Sequence, residues 1–372
     1  MPSAETNVRD SPALVTNKTY RDRLVRNRAE SRLTFVRSLI FVSEADNVSV
    51  IRAMAGLGTP MALRVAVTLG LPDRLRGDGV SVERLAAETK VSPIPLALLL
   101  AHLANLGIVE PTASGYRTTE FGSALYSDAG NGLTNFLHLD LAGGRAELAF
   151  VELLHSVTTG EAGYPRRYGR DFWADLDAHP HLRASFDQQM TDRFRTEVPA
   201  IVAGHDWGRY ATIVDVGGGL GTLLAEILAA HPHTRANLVD LDPTATEANH
   251  TFVARHVDDR AKTTAQSFFD PLPPGADAYL LADILHDWDD ENAHKIMARC
   301  VEAIGANGRI VVVEPVGGRR AGTEMDLAMF AIFGGRERTV DEFRALASAH
   351  GLVLDTAKDV SDQRCLLEFR LG

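Results

Sequence analysis

The spacing of apolar residues changes character along the chain. From Val48 to about Glu110 they recur every three or four positions, as in IRAMAGLGTPMALRVAVTLGL and PLALLLAHLANLGIV, which predicts helices with one buried face. Between these runs Ser81 stands before VERLAAET as an N-cap, and Ser92-Pro93 opens the next helix. Beyond Gly107, IVEPTASGYRTT reads as two short strands around Ala113-Ser114-Gly115. Helix, helix, hairpin is a winged-helix pattern. A further helical stretch, about Thr134 to Ala203, carries Phe136, Phe150, Tyr164, Tyr168, Phe172, Trp173, Phe186 and Met190, most of them expected in a core and a minority lining an apolar pocket.

From Tyr210 the period shortens. ATIVDVGGG, ANLVDLD, AYLLADI and RIVVVEPV are short β-rich runs separated by helical segments, so the region predicts an α/β fold with a mostly parallel sheet covered on both faces. A helix at about Val340 to His350 is followed by LVLDTAKDV and QRCLLEFRL, two strands joined at Ser361-Asp362 that add an antiparallel hairpin to the sheet.

Composition narrows the function. The 372 residues are 45% hydrophobic and 23% charged, with a net charge of −11. That is an ordinary globular balance and a poor one for a polyanion. The second helix of the winged unit, Pro93 to Asn105, has no Arg or Lys, so it lacks the donors that reading DNA requires and is expected to be a packing or dimerisation module. Two distant cysteines, Cys300 and Cys365, and the absence of a secretion signal or a run of about 18 apolar residues predict a cytoplasmic protein with no nucleic-acid or membrane partner. The arginine-rich first forty residues, Arg21 to Arg37 among them, are expected to be an arm against another subunit.

Chemistry concentrates in three places. Strand IVDV runs into Gly217-Gly218-Gly219-Leu220-Gly221 and then a helix, a turn that lets a ligand approach the backbone without meeting Cβ atoms. The next strand ends at Asp240, at the spacing where an acid accepts ribose hydroxyls of an adenosyl ligand. GxGxG preceded by Asp215, in the C-terminal half, differs from the dinucleotide fingerprint and favours a methyl-donor cofactor over a nicotinamide. Strand AYLLADI then delivers Leu285-His286-Asp287-Trp288 to the ligand-binding edge of the sheet, which makes His286 the leading catalytic base. Glu314 ends the following strand and Glu337 lies in FGGRERT; either carboxylate is suited to fixing an imidazole tautomer, although Arg336 and Arg338 make a solvated ion pair at Glu337 plausible. No metal is required, and Asp287, Asp289 and Asp290 read as a helix N-terminus.

The ordered set DVGGGLG, VDLD, SFFDPLP, LHDWDDE, RIVVVEPV and GGRERT resembles the small-molecule O-methyltransferases of the plant caffeic-acid type and their bacterial natural-product tailoring relatives. The resemblance implies an arm over 1–45, a mainly α, winged-helix-like dimerisation and substrate-lining domain over 46–205, and a Rossmann-like catalytic domain over 206–372. It implies S-adenosyl-L-methionine held by Asp215, Gly217, Gly219, Gly221, Asp240, Leu241, Ser267, Phe268 and Ala282. His286 would be the base, flanked and oriented by Glu314 and Glu337. Phe186, Met190, Trp288, Asp326, Met329 and Phe330 would line the pocket of a phenolic or polyketide-like acceptor, and the enzyme would be a homodimer of secondary, antibiotic-type metabolism. Ser267 replaces the family's acid before the adenine aromatic, and Ala282 replaces a polar residue. Relatives that keep the adenosyl pocket but decarboxylate, hydroxylate or rearrange offer an alternative reaction; a winged-helix regulator and a nicotinamide dehydrogenase are more distant ones.

Overall fold

The computed structural model describes residues 47–372, so the arginine-rich arm lies outside the described residues. Among the described residues, 47–61 and 62–372 fall in separate compact units. In the first, Asn47–Ala55 is helical. The stretch Asn47–Thr68, interrupted at Gly56-Leu57, contains an 18-residue window with a mean hydropathy of 1.3, enough to match a membrane span by length and composition. This corrects the expectation that no such run exists: alanines and valines raise the average although Arg52 and Arg64 sit within it.

In the second unit the winged-helix pattern is present. Ser81 caps Val82–Thr89 by accepting the Arg84 amide hydrogen bond, and Pro93 starts the helix Pro93–Asn105. Strands β1 (Val109–Thr112) and β2 (Gly115–Thr118) form the antiparallel wing. Leu85, Leu96, Leu100, Leu103 and Val109 bury their side chains in one small core, each worth roughly 1.5–3 kcal/mol.

Seven strands make the main sheet: β3 (Thr212–Val216), β4 (Arg235–Asp240), β5 (Ala261–Ala265), β6 (Ala278–Ala282), β7 (Arg309–Glu314), β8 (Leu352–Asp359) and β9 (Cys365–Leu371), in the order β5-β4-β3-β6-β7-β9-β8. The first five run parallel, whereas β9 pairs antiparallel with β7 and β8. Alternation along the strands feeds two cores. Val214, Tyr279, Leu281, Ile310 and Val312 pack with Ile296, Met297, Phe343 and Leu346, while Ile213, Leu238, Leu280, Val311 and Val313 pack with Leu224, Ile227, Leu228 and Phe252. Because the chain steps to one side of β3 to form β4 and to the other to form β6, the carboxyl ends of β3 and β6 diverge into a crevice.

Candidate active site

The crevice opens into a cavity of about 330 Å³. One part is built by strand ends. Gly217, Gly219 and Gly221 hold φ of +72°, +57° and +75°, the left-handed region that glycine tolerates. A Cβ on Gly218 would come within 2.6 Å of the Asp215 carboxylate, so the loop closes over that acid. Asp215 is buried on the cavity wall, its Oδ1 has no partner among the described residues, and burial together with Asp240 pushes its carboxyl up to about 7. Asp240 accepts hydrogen bonds from the Gly219 and Leu241 amides at 2.8 and 2.7 Å, which ties the acid to the glycine turn. Leu241, Ser267, Phe268 and Ala282 line the same part; Gly221 does not, and instead lets the helix Thr222–Ala230 pack against Phe252.

The other part is aromatic. Trp173 stacks on Trp288 and on Phe333 with centroids 5.8 and 5.4 Å apart, and Phe186 packs edge-on against Trp173. Met190 and Met329 line this wall. Phe330 and Asp326 do not reach it, a correction to the acceptor set. Both belong to the helix Thr323–Phe333, whose cavity face is Met325, Ala328, Met329, Ile332 and Phe333; Asp326 instead accepts the Glu337 amide hydrogen bond at 2.9 Å.

His286 stands on the cavity wall in a short helical turn, Leu285–Asp287, and is almost wholly buried. Its Nδ1 lies 3.2 Å from Glu337 Oε1, and its Nε2 lies 3.5 Å from Asp287 Oδ1. Burial disfavours the imidazolium, but Asp287, Glu337 and Asp283 outweigh it and raise the ring to about 10. Since Glu337 accepts from Nδ1–H, the neutral ring carries its lone pair on Nε2. Glu314 makes no hydrogen bond to His286: its Oε1 accepts the Ile284 and Leu285 amides at 3.0 and 2.6 Å, fixing the turn, and burial lifts its carboxyl to about 7. The two glutamates thus do different jobs, one on the ring and one on the backbone beneath it.

Sequence reasoning passed over three features. Asp287 is buried and faces His286, with burial pushing it up to about 7; only Asp289 and Asp290 belong to the following helix N-terminus. Arg336 and Arg338 pair with Asp290 rather than Glu337, and buried Arg338 donates to the Leu285 and Trp288 carbonyls, leaving Glu337 to the histidine. Asp283, with φ +52°, is gripped by fully buried Arg364 at 3.0 and 2.6 Å from the terminal hairpin. None of the three carries a local sequence signal beyond charge. Among the described residues, no group of three or more His, Cys, Asp or Glu is arranged to hold a metal ion.

Comparison with known proteins places this geometry. Residues 150–353 match the O-methyltransferase domain and residues 51–128 the O-methyltransferase dimerisation domain. The 2,7-dihydroxy-5-methyl-1-naphthoate 7-O-methyltransferase of Streptomyces carzinostaticus is 42% identical over 84% of this chain and 94% of its own length. The chain belongs to the S-adenosylmethionine-dependent O-methyltransferases. An O-methyltransferase from neocarzinostatin biosynthesis, solved with S-adenosylmethionine and 2-hydroxy-5-methyl naphthoic acid, superposes on this enzyme with a TM-score of 0.82, 39% identity, and coverage of 89% of this chain and all of that one. Aclacinomycin 10-hydroxylase of Streptomyces purpurascens is 38% identical over 84% of the enzyme and 86% of its own length, so the family's relatives are not all named for methyl transfer. The apolar stretch Asn47–Thr68 lies largely within the match to the dimerisation domain.

Proposed function

We propose that the enzyme methylates a hydroxyl of a planar phenolic or polyketide-like molecule, with His286 as general base. The observation that carries this reading is the Nδ1 contact to Glu337, which leaves Nε2 as the ring's basic atom in a cavity shared by the glycine turn and the aromatic wall. Asp215, Gly217, Gly219, Asp240, Leu241, Ser267, Phe268 and Ala282 would hold S-adenosylmethionine, which supplies an electrophilic methyl group when bound. The unpartnered Asp215 oxygen, and a glycine turn in which a Cβ on Gly217 or Gly218 would clash with Ile284 or Asp215, fit such a polar, cationic ligand. Phe186, Met190, Trp173, Trp288 and Met329 would hold the acceptor ring.

A free phenol has a pKa of about 10, so only about one molecule in a thousand is phenolate at neutral pH. His286 removes that proton as the oxygen attacks, a contribution of roughly 10²- to 10⁴-fold, and Glu337 stabilises the imidazolium formed. Asp287 adds a second carboxylate beside Nε2. We assign the winged unit to a homodimer, supported by exposed Ile94 and Leu98 one turn apart on a helix inside the dimerisation match. We place the enzyme in the cytoplasm, where its buried thiols Cys300 and Cys365 stay reduced.

Incubation with methyl-labelled S-adenosylmethionine and a panel of phenolic acceptors tests the reaction. Label in the product is the expected result. A modified but unlabelled product would overturn it in favour of a second reading, cofactor use without methyl transfer, which the similarity to a hydroxylase favours.

A further inference from the structure

A charged side chain, Glu147, lines the cavity beside its aromatic wall. Glu147 ends the helix Ala142–Glu147 and lines the cavity with Phe136, Gly143 and Ala146. Arg64, from the winged unit, donates to Glu147 Oε2 at 3.0 Å and to the Phe136 carbonyl at 2.9 Å. Its guanidinium is therefore committed, while Glu147 Oε1 has no hydrogen bond to the described residues. Burial raises the Glu147 carboxyl and Arg64 opposes that rise. One helical turn away, Gln189 Oε1 lies where a Gly143 side chain would otherwise go, buried and without a partner among the described residues. Burying an unpaired oxygen such as Gln189 Oε1 is costly, and Glu147, still partly exposed, offers a second acceptor oxygen by the same helix of the cavity wall.

We propose that Glu147 and Gln189 form a second subsite that binds a hydroxyl or amino group carried by the acceptor away from the oxygen being methylated. This rests on the reading of the cavity as an acceptor site. Both free atoms accept hydrogen bonds, so the ligand group must donate. A carboxylate at that point would meet two acceptor oxygens, with the nearby arginine already engaged. The acceptor is accordingly a polyhydroxylated or amino-substituted aromatic, and an acid placed in this corner is rejected.

The test uses three probes: a naphthalenediol, the naphthol lacking its second hydroxyl, and the hydroxynaphthoic acid with a carboxylate in its place. Binding is read by tryptophan fluorescence quenching with S-adenosylhomocysteine present, independently of turnover. The wild-type enzyme is expected to bind the diol roughly 10- to 100-fold more tightly than the naphthol, the worth of one hydrogen bond to a charged group. The Arg64→Leu/Glu147→Leu double variant removes both charges together, and in it the preference should shrink to about threefold or less. Glu147→Gln, which keeps an oxygen at the site and guards against misfolding of the double variant, should retain an intermediate preference. Equal binding of diol and naphthol to the wild type, an undiminished preference in both variants, or tightest binding of the acid would overturn the subsite. Labelled methyl transfer is scored separately: transfer without diol preference removes only the subsite, and diol preference without transfer removes only the methylation reading.

Discussion

His286 has two ring nitrogens in different surroundings, and its chemistry follows from that inequality. With Nδ1 held by Glu337, truncation of the ring removes the proposed base without touching the glycine turn. The His286→Ala variant should retain S-adenosylhomocysteine affinity in calorimetry while methylation falls at least about 10²-fold. The neighbouring carboxylates raise the imidazole to about 10, so at neutral pH most of the free enzyme carries the proton and, on the proposed reading, only the minor neutral form is available as base. The rate, kcat/KM for the acceptor, should therefore rise with pH above neutrality toward about 10. Glu337→Gln removes one of those negative charges, so its pH profile should shift to lower pH while the maximal rate drops; an unshifted profile would mean that Glu337 does not act on the ring. His286 and Glu337 were both legible as candidates because a histidine at the end of a strand is placed by topology. Asp287 was not, since a carboxylate beside a helix start looks the same in sequence whether it turns outward as a cap or inward to a cavity.

At the level of elements, the turn Leu285–Asp287 owes its position to pieces distant in sequence. Glu314 at the end of β7 accepts the amides of Leu285 and of Ile284 just before it, Arg338 donates to the Leu285 carbonyl, and Gly335 lies so close that a Cβ there would come within 2.1 Å of the His286 carbonyl oxygen and 2.9 Å of the Trp288 amide nitrogen. Backbone cannot yield as a flexible side chain can. Gly335→Ala should displace the turn, costing about 1–3 kcal/mol in a denaturant melt, together with a larger loss in kcat than in cofactor affinity. The helices and strands themselves were visible in the periodicity. The capping box at Thr339 and Glu342 and the N-cap at Asp289 follow from local side-chain chemistry alone. The packing of GGRERT against the His-Asp-Trp turn was not visible, because about fifty residues separate them and only the sheet brings them together.

For the whole molecule, assembly follows from the apolar side chains its surface exposes. Ile94 and Leu98 are 77% and 70% exposed on the second winged-unit helix, side by side at i and i+4. Two such side chains in water favour association, and a paired charge disfavours it. In sedimentation experiments the enzyme should be a dimer, and Ile94→Glu/Leu98→Glu should shift it toward monomer; a dimer untouched by the double change would move the interface elsewhere. The sequence by itself determined the order of elements, the glycine turn, the acid at Asp240 and the histidine at the end of β6, since each depends on local period, backbone freedom or strand topology. Only the tertiary structure decided that Phe330 and Asp326 leave the aromatic wall of the cavity, that Glu314 serves the backbone while Glu337 serves the ring, and that Arg64 pairs with Glu147. Those outcomes depend on which way side chains point and which distant partners claim them, and orientation and competition for partners exist only once the chain has packed.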